Sequence, residues 1–221
     1  MDQNTKKQRV AEAVLDYIDN GESLGIGSGS TVNILIENLS RVKNKIRNVV
    51  SSSVKSTELL VANGFEVSEL RDVGRLTKYI DGADEVNKDL QMIKGGGGAL
   101  TREKILAHNS NQFICIVDDS KKVDMLGKFP LPIEVIPLSR SSVSLELIKH
   151  GGRPVLRENF STDNGNLILD IHNLEIMEPI KLEQTINNIP GVVTNGIFAL
   201  DHANVLLCAS DSGIDKTDLN A

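Results

Sequence analysis

Apolar residues at Val10, Val14, Leu15 and Ile18 recur at the spacing of one helix face, and Asn20-Gly21 supplies a stop. The chain is therefore expected to open with an amphipathic helix. SLGIGSGSTV then reads as a short apolar strand, a glycine turn and a new helix from about Ser30 to Leu39. The alternation continues with a strand in RNVVSSS, a helix around Ser56 to Ala62 closed by Asn63-Gly64, and a strand in FEVSEL. LTKYIDGADEV reads as a strand that ends in acids, QMIKGGGGALTREKILAH as a strand end, a glycine loop and a helix, and QFICIVDDSKK as an apolar strand ending in charge. Strands alternating with helices at this pitch predict βαβ units and a mainly parallel sheet.

The pattern changes at FPLPIEVIP, whose three prolines in nine residues suit an edge strand or a domain boundary better than a central strand. Residues 131 to 200 then read strand, helix (Ser141 to Lys149, stopped by Gly151-Gly152), strand, a hairpin turn at Asp163-Asn164-Gly165-Asn166, strand, helix, strand. That βαββαβ order is the signature of a ferredoxin-like unit. The last apolar run, NVLLCAS, is expected to rejoin the first sheet and to be followed by a polar tail. The fold class is thus α/β: a Rossmann-like, mainly parallel sheet domain over 1–130 plus 203–221, and a smaller ferredoxin-like α/β domain over 131–202.

Composition narrows the possible partners. A net charge of -6 and a pI near 5.3 repel phosphate backbones, and with 3% aromatics there is no basic, aromatic-studded stretch to stack bases, so nucleic acid is excluded. An anionic small molecule would have to be held by local features against the overall field. No segment approaches the roughly 20 apolar residues of a membrane span, and the polar start MDQNTKKQRV lacks a signal-peptide core, so a cytoplasmic protein without membrane contact is expected. Cys115 and Cys208, each inside an apolar run, read as reduced core thiols.

Three segments fall at the carboxyl ends of expected parallel strands, where open α/β sheets bind ligands. In Gly25-Ile26-Gly27-Ser28-Gly29-Ser30-Thr31, backbone N–H groups and three hydroxyls meet a helix N-terminus, an anion site. A dinucleotide site is the rival, but Ser30 stands where the third glycine belongs, and the second strand ends in Ser51-Ser52-Ser53 where a ribose-binding acid is expected. In Asp81-Gly82-Ala83-Asp84-Glu85, the acids Asp81 and Asp84 are placed to face a ligand and Glu85 to face solvent. The four histidines show no metal-ligand spacing, and no metal is expected. In Lys94-Gly95-Gly96-Gly97-Gly98 the glycines permit close backbone approach to a ligand, with Lys94 as a fixed cation; a flexible linker is the competing reading. Glu103 lies in the first turn of the following helix, where the macrodipole depresses its pKa while nearby acids raise it.

Together GIGSGST, SSSVKSTELL, DGADEVN, MIKGGGGALTREKI and GKFPLPIEVIP, and beyond them GGRP, TDNGN and IPGVVTNGIF, resemble the type A ribose-5-phosphate isomerases in order and spacing. The resemblance implies a Rossmann-like main domain, a smaller α/β lid and a homo-oligomer, a dimer or a tetramer. It also implies a sugar-phosphate substrate, no cofactor, and a place in the non-oxidative pentose phosphate pathway. It makes the acid of TREK, Glu103, the proton-transfer base. Asp81 and Asp84 become the DGAD acids, Lys94 the KGGG lysine, and Lys121 a substrate-contacting lysine. Ser28 stands where the family usually has Thr, and Gly98 where it has Ala or Gly.

Moving a proton between C1 and C2 of an aldose needs one carboxylate that takes it from one carbon and returns it to the next, the role expected of Glu103. Lys94 and the N–H groups of Gly95 to Gly98 would stabilise the enediolate. Asp81 is expected to assist ring opening with Asp84 orienting. Ser28, Gly29, Ser30, Thr31, Gly82, Ala83, Gly95, Gly96, Gly97 and Lys121 would bind the substrate, the phosphate resting on Ser30, Thr31 and Lys121. Two rivals are a sugar-phosphate sensor, which would need a DNA-binding module this sequence does not show, and an acyl-coenzyme A transferase with a glutamate nucleophile.

Overall fold

The computed structural model describes residues 1–219. In chain order it contains α1 (Gln3–Ala13), β1 (Glu22–Ile26), α2 (Ser30–Asn38), β2 (Ile46–Ser51), α3 (Val54–Ala62), α4 (Leu70–Val73), β3 (Leu76–Asp81), β4 (Glu85–Val86), β5 (Met92–Ile93), α5 (Leu100–His108), β6 (Ser110–Asp118), β7 (Leu131–Val135), α6 (Arg140–Lys149), β8 (Arg153–Leu156), β9 (Leu167–His172), α7 (Pro179–Asn187), β10 (Val192–Asn195), β11 (Ile197–Phe198), β12 (Val205–Ser210) and β13 (Gly213–Asp218). Two compact units divide these elements: Met1–Ala83, Arg102–Lys121 and the segment from Ala203 make the first, and Asp84–Thr101 with Lys122–His202 the second.

The first unit is built on a six-stranded sheet of order β13-β12-β6-β3-β1-β2, parallel except for the β12–β13 pair. Its five parallel strands run 2-1-3-4-5 in chain order, a doubly wound arrangement whose switch point lies between β1 and β3. All five residues of β1 are buried, as a strand covered on both faces requires. Val10, Val14, Leu15 and Ile18 sit in the core as the spacing predicts, although the α-helix ends at Ala13 and a 3-10 turn carries Val14–Tyr17. With few aromatics available, this core is built mostly from Val, Ile, Leu and Ala, with Phe65, Tyr79 and Phe113 among them. Cys115 and Cys208 are buried thiols on neighbouring strands, not joined as a disulfide.

Two expectations fail in this unit. FEVSEL forms no strand, only a single parallel bridge between Val67 and Val49 outside the edge strand β2, with Phe65 buried in the core, Val67 packed against it, and Glu66 and Glu69 exposed. The expected polar tail instead makes β13, an antiparallel hairpin partner that covers β12, which would otherwise be a long apolar edge. Its residues are exposed or half-buried, so no hydrophobic alternation announces it.

In the second unit, β7-α6-β8-β9-α7-β10 gives an antiparallel sheet of order β10-β7-β9-β8, the ferredoxin-like order 4-1-3-2. The proline-rich strand β7 is interior, not an edge. Its Pro132 lies one step beyond the β10 ladder, opposite Gly196, whose N–H donates to the Pro132 carbonyl at 2.8 Å. The Gly196 carbonyl, denied a donor by proline, accepts the Lys94 N–H at 2.9 Å instead. The expected domain boundary near residue 130 also shifts. β5 pairs with β4 on one side and β11 on the other in a three-stranded antiparallel sheet, and Asp84–Thr101 and the segment from Lys122 belong to the second unit.

Candidate active site

At the switch point of the first unit, the chain leaves β1 through Gly27-Ser28-Gly29 and leaves β3 at Asp81. A Cβ on Gly27 would lie 1.9–2.4 Å from the Asp81 carboxyl atoms, so only glycine lets that side chain occupy its place. Asp81 is fully buried; its Oδ1 accepts the N–H groups of Ser28 (3.1 Å) and Gly82 (2.7 Å), and its Oδ2 accepts the Tyr79 hydroxyl. Burial first, then the charges of Asp81 and Glu103, push the Tyr79 phenol well above its ordinary range, so it stays a hydrogen-bond donor. Ser28 in turn donates from Oγ to Oε1 of Glu103 at 2.6 Å, and Glu103 is buried in the first turn of α5. Ser28, Asp81 and Glu103 therefore form one connected group that carries two carboxylates at the carboxyl edge of the sheet.

Beside it, Gly29 precedes α2 with φ of +101°, a conformation that favours glycine, and the first-turn N–H groups of Ser30 and Thr31 open the helix. The Lys7 ammonium donates to Ser30 Oγ at 3.0 Å. Lys7 is brought there by the start of α1, which is anchored by Gln3 on Asp118 and by Lys6 on Asp119. Cation, hydroxyls and helix N-terminus together make an anion cradle. Behind the turn, Ser56 Oγ donates to the Gly27 carbonyl at 2.8 Å, Ser53 caps α3 and the Ser52 N–H donates to the Ile26 carbonyl, so these serines brace the glycine turn. Lys121 ends the 3-10 turn Asp119–Lys121 and is half-buried.

The second unit holds Asp84, Lys94 and the four glycines. Asp84 Oδ2 accepts the Gly96 N–H at 2.8 Å, and a Cβ on Gly96 would strike that carboxylate at 2.6–3.0 Å. Gly98 N–H closes a turn onto the Gly95 carbonyl at 2.9 Å. Of the expected backbone donors, those of Gly96 and Gly98 are thus consumed internally, whereas Gly97 is exposed and its N–H has no partner among the described residues. The Lys94 side chain is buried, with its ammonium 5.5 Å from the Phe198 ring centroid. This segment is an ordered loop and not a linker. Glu85, expected in solvent, is buried and accepts the N–H groups of Gly127 and Phe129 at 2.8 and 2.5 Å; it fastens a loop within its own unit.

Tyr79 and Lys7 escape the sequence reading. Tyr79 lies two residues before Asp81 on one strand, which puts both on the same face, so period-2 alternation held a usable signal. Lys7 carries none, because only tertiary contacts bring it to Ser30. The family model for ribose 5-phosphate isomerase A (phosphoriboisomerase A) matches residues 48–213. The chain belongs to this family. As a member of the ribose 5-phosphate isomerase A family it is an aldose–ketose isomerase. Ribose 5-phosphate isomerase A from Neisseria gonorrhoeae is 47% identical, with a TM-score of 0.96 over 98% of this chain and 97% of that one. The enzyme from Methanocaldococcus jannaschii is 35% identical, with a TM-score of 0.92 over 97% and 99%. A D-ribose-5-phosphate isomerase solved in complex with phospho-erythronic acid is also 35% identical, with a TM-score of 0.94 over 99% and 100%. Among the described residues no helix is long and apolar enough to cross a membrane.

Proposed function

We propose that this chain interconverts D-ribose 5-phosphate and D-ribulose 5-phosphate through a cis-enediolate, as a cofactor-free, cytoplasmic homo-oligomer of the non-oxidative pentose phosphate pathway. The observation that carries the reading is the buried Glu103 carboxylate, held by Ser28 Oγ at 2.6 Å at the sheet's switch point. A base that shuttles one proton between adjacent carbons needs one oxygen fixed and a site that excludes water. In this scheme Glu103 takes the proton from C2 of the aldose and returns it to C1. Lys94 and the Gly97 N–H stabilise the charge that develops on the enediolate oxygen. Asp84 orients the sugar.

Asp81 is the expected partner in ring opening. The donors from Ser28, Gly82 and Tyr79 favour a second duty, fixing Ser28 and thereby Glu103. The α2 N-terminus with Ser30, Thr31 and Lys7 suits the phosphate, with Lys121 as a further cation. Phospho-erythronic acid, present in the related complex, couples a planar carboxylate to a phosphorylated polyol, which is the shape of an enediolate phosphate.

The test is to mix the purified protein with ribose 5-phosphate, with and without prolonged chelation, and separately with an acyl-coenzyme A. Ribulose 5-phosphate should form at the same rate in the presence of chelator, phospho-erythronic acid should compete more tightly than substrate binds, and no acyl transfer should occur. Acyl transfer without isomerisation would contradict the reading.

A further inference from the structure

Arg157, just beyond β8, lies outside every motif discussed so far. Its guanidinium forks onto Asp170, Nε to Oδ2 at 2.8 Å and Nη2 to Oδ1 at 2.5 Å, a bidentate pair that fixes the plane of the group. The remaining donors reach the glycine loop. Nη1 donates to the Gly96 carbonyl at 3.1 Å, and Nη1 and Nη2 meet the Gly95 carbonyl at 3.4 Å. The cation also stands 5.2 Å from the Phe160 ring, and that ring occupies the space a Cβ on Gly98 would need, at 2.1–3.2 Å. The loop is thus backed along its length by one charged and one aromatic side chain.

Among the described residues the peptide bonds are all trans, so in each plane the N–H points opposite to the carbonyl. Two successive carbonyls turned to Arg157 place two successive N–H groups on the far side. The Gly96 N–H follows this rule and reaches Asp84. The Gly97 N–H belongs to the plane whose carbonyl Arg157 holds best, and it is the one left exposed. Without a fixed carbonyl side four glycines would not hold one orientation.

We infer that Arg157, clamped by Asp170, is a positioning residue for isomerisation: it aims the Gly97 N–H at the oxygen that becomes negative in the enediolate. The inference rests on the isomerase reading above. Lysine cannot replace it, because a point ammonium cannot grip a carboxylate fork and two carbonyls at once.

The full-length Arg157→Lys and Arg157→Met proteins test this through kcat, KM, inhibition by phospho-erythronic acid, and thermal melting. Losing an oxyanion donor costs about 10²- to 10³-fold, and misaiming one should cost about 10- to 100-fold in kcat. Both variants should show that loss with KM within about threefold of wild type, and affinity for the planar acid should fall in step with kcat while substrate affinity holds. Folded variants with wild-type kcat, or with a rise in KM alone, would overturn the inference while the wild-type protein still isomerises. Loss of the fold in both would assign Arg157 a structural role and overturn it equally. A wild-type protein that does not isomerise would instead sink the functional reading and this inference with it.

Discussion

At the scale of single residues, the site depends on a buried carboxylate kept in place by donors that cannot be traded. Tyr79 packs its ring against Phe113 at 4.7 Å between centroids and gives its hydroxyl to Asp81. Tyr79→Phe keeps the ring and removes one donor from a buried acid, which should cost about 1–3 kcal/mol at neutral pH. The phenol is raised well above its ordinary range in the folded protein by burial, Asp81 and Glu103. Its stabilising contribution is therefore complete below about pH 10, the ordinary tyrosine value, and is lost as the pH rises further, because only the unfolded chain then ionises. Denaturation of both proteins at pH 8 and pH 11 should show the gap between them narrowing at the higher pH. A gap that stays constant would mean that Tyr79 titrates alike in both states.

At the scale of elements, Pro132, Gly196 and Lys94 show how distant segments combine. Proline removes a donor from β7, Gly196 is left with a vacant carbonyl, and the Lys94 N–H fills it. A Cβ on Gly196 would lie 2.3 Å from the Lys94 carbonyl and 2.9 Å from the proline ring, neither of which can yield. Gly196→Ala should destabilise the protein by about 1–3 kcal/mol through overpacking, and a shift of Lys94 near 1 Å should lower kcat by about 100-fold. Wild-type turnover in that variant would show that Lys94 tolerates displacement.

The helices and apolar strands of the parallel sheet were legible because their periodicity is local, as Val10, Val14, Leu15 and Ile18 show. β13 was not, because its exposed and half-buried residues show no alternation although its partner β12 is its neighbour in the chain; the interior place of β7 and the burial of Glu85 were not, because each is decided by a partner far away in sequence. Glu134 belongs to the same class: fully buried in β7, it accepts hydrogen bonds from Thr101, Thr162, Asn164 and Asn166, so it ties the start of α5 to the TDNGN turn. Gly96 was readable as a site of close approach, but the approaching group turned out to be Asp84; the closeness of Asp81 to Gly27 had no local signal.

At the scale of the whole molecule, each unit contributes a different part of the proposed chemistry. The doubly wound unit holds Glu103, the proposed proton carrier, with Ser28, Asp81 and the proposed phosphate cradle. The second holds Lys94, Asp84 and the glycine loop. The central claim is that one carboxylate, Glu103, carries the proton, and Glu103→Gln tests it most directly because it keeps the size and a hydrogen-bonding oxygen but removes the basicity. General-base catalysis is commonly worth about 10²- to 10⁴-fold. The measurement is exchange of the C2 hydrogen of ribose 5-phosphate with deuterated water, followed alongside binding. The Glu103→Gln protein should bind the sugar phosphate and exchange that hydrogen at least about 100-fold more slowly than wild type. Exchange at the wild-type rate, with Asp81→Asn unable to exchange it, would contradict the account and move the base to Asp81.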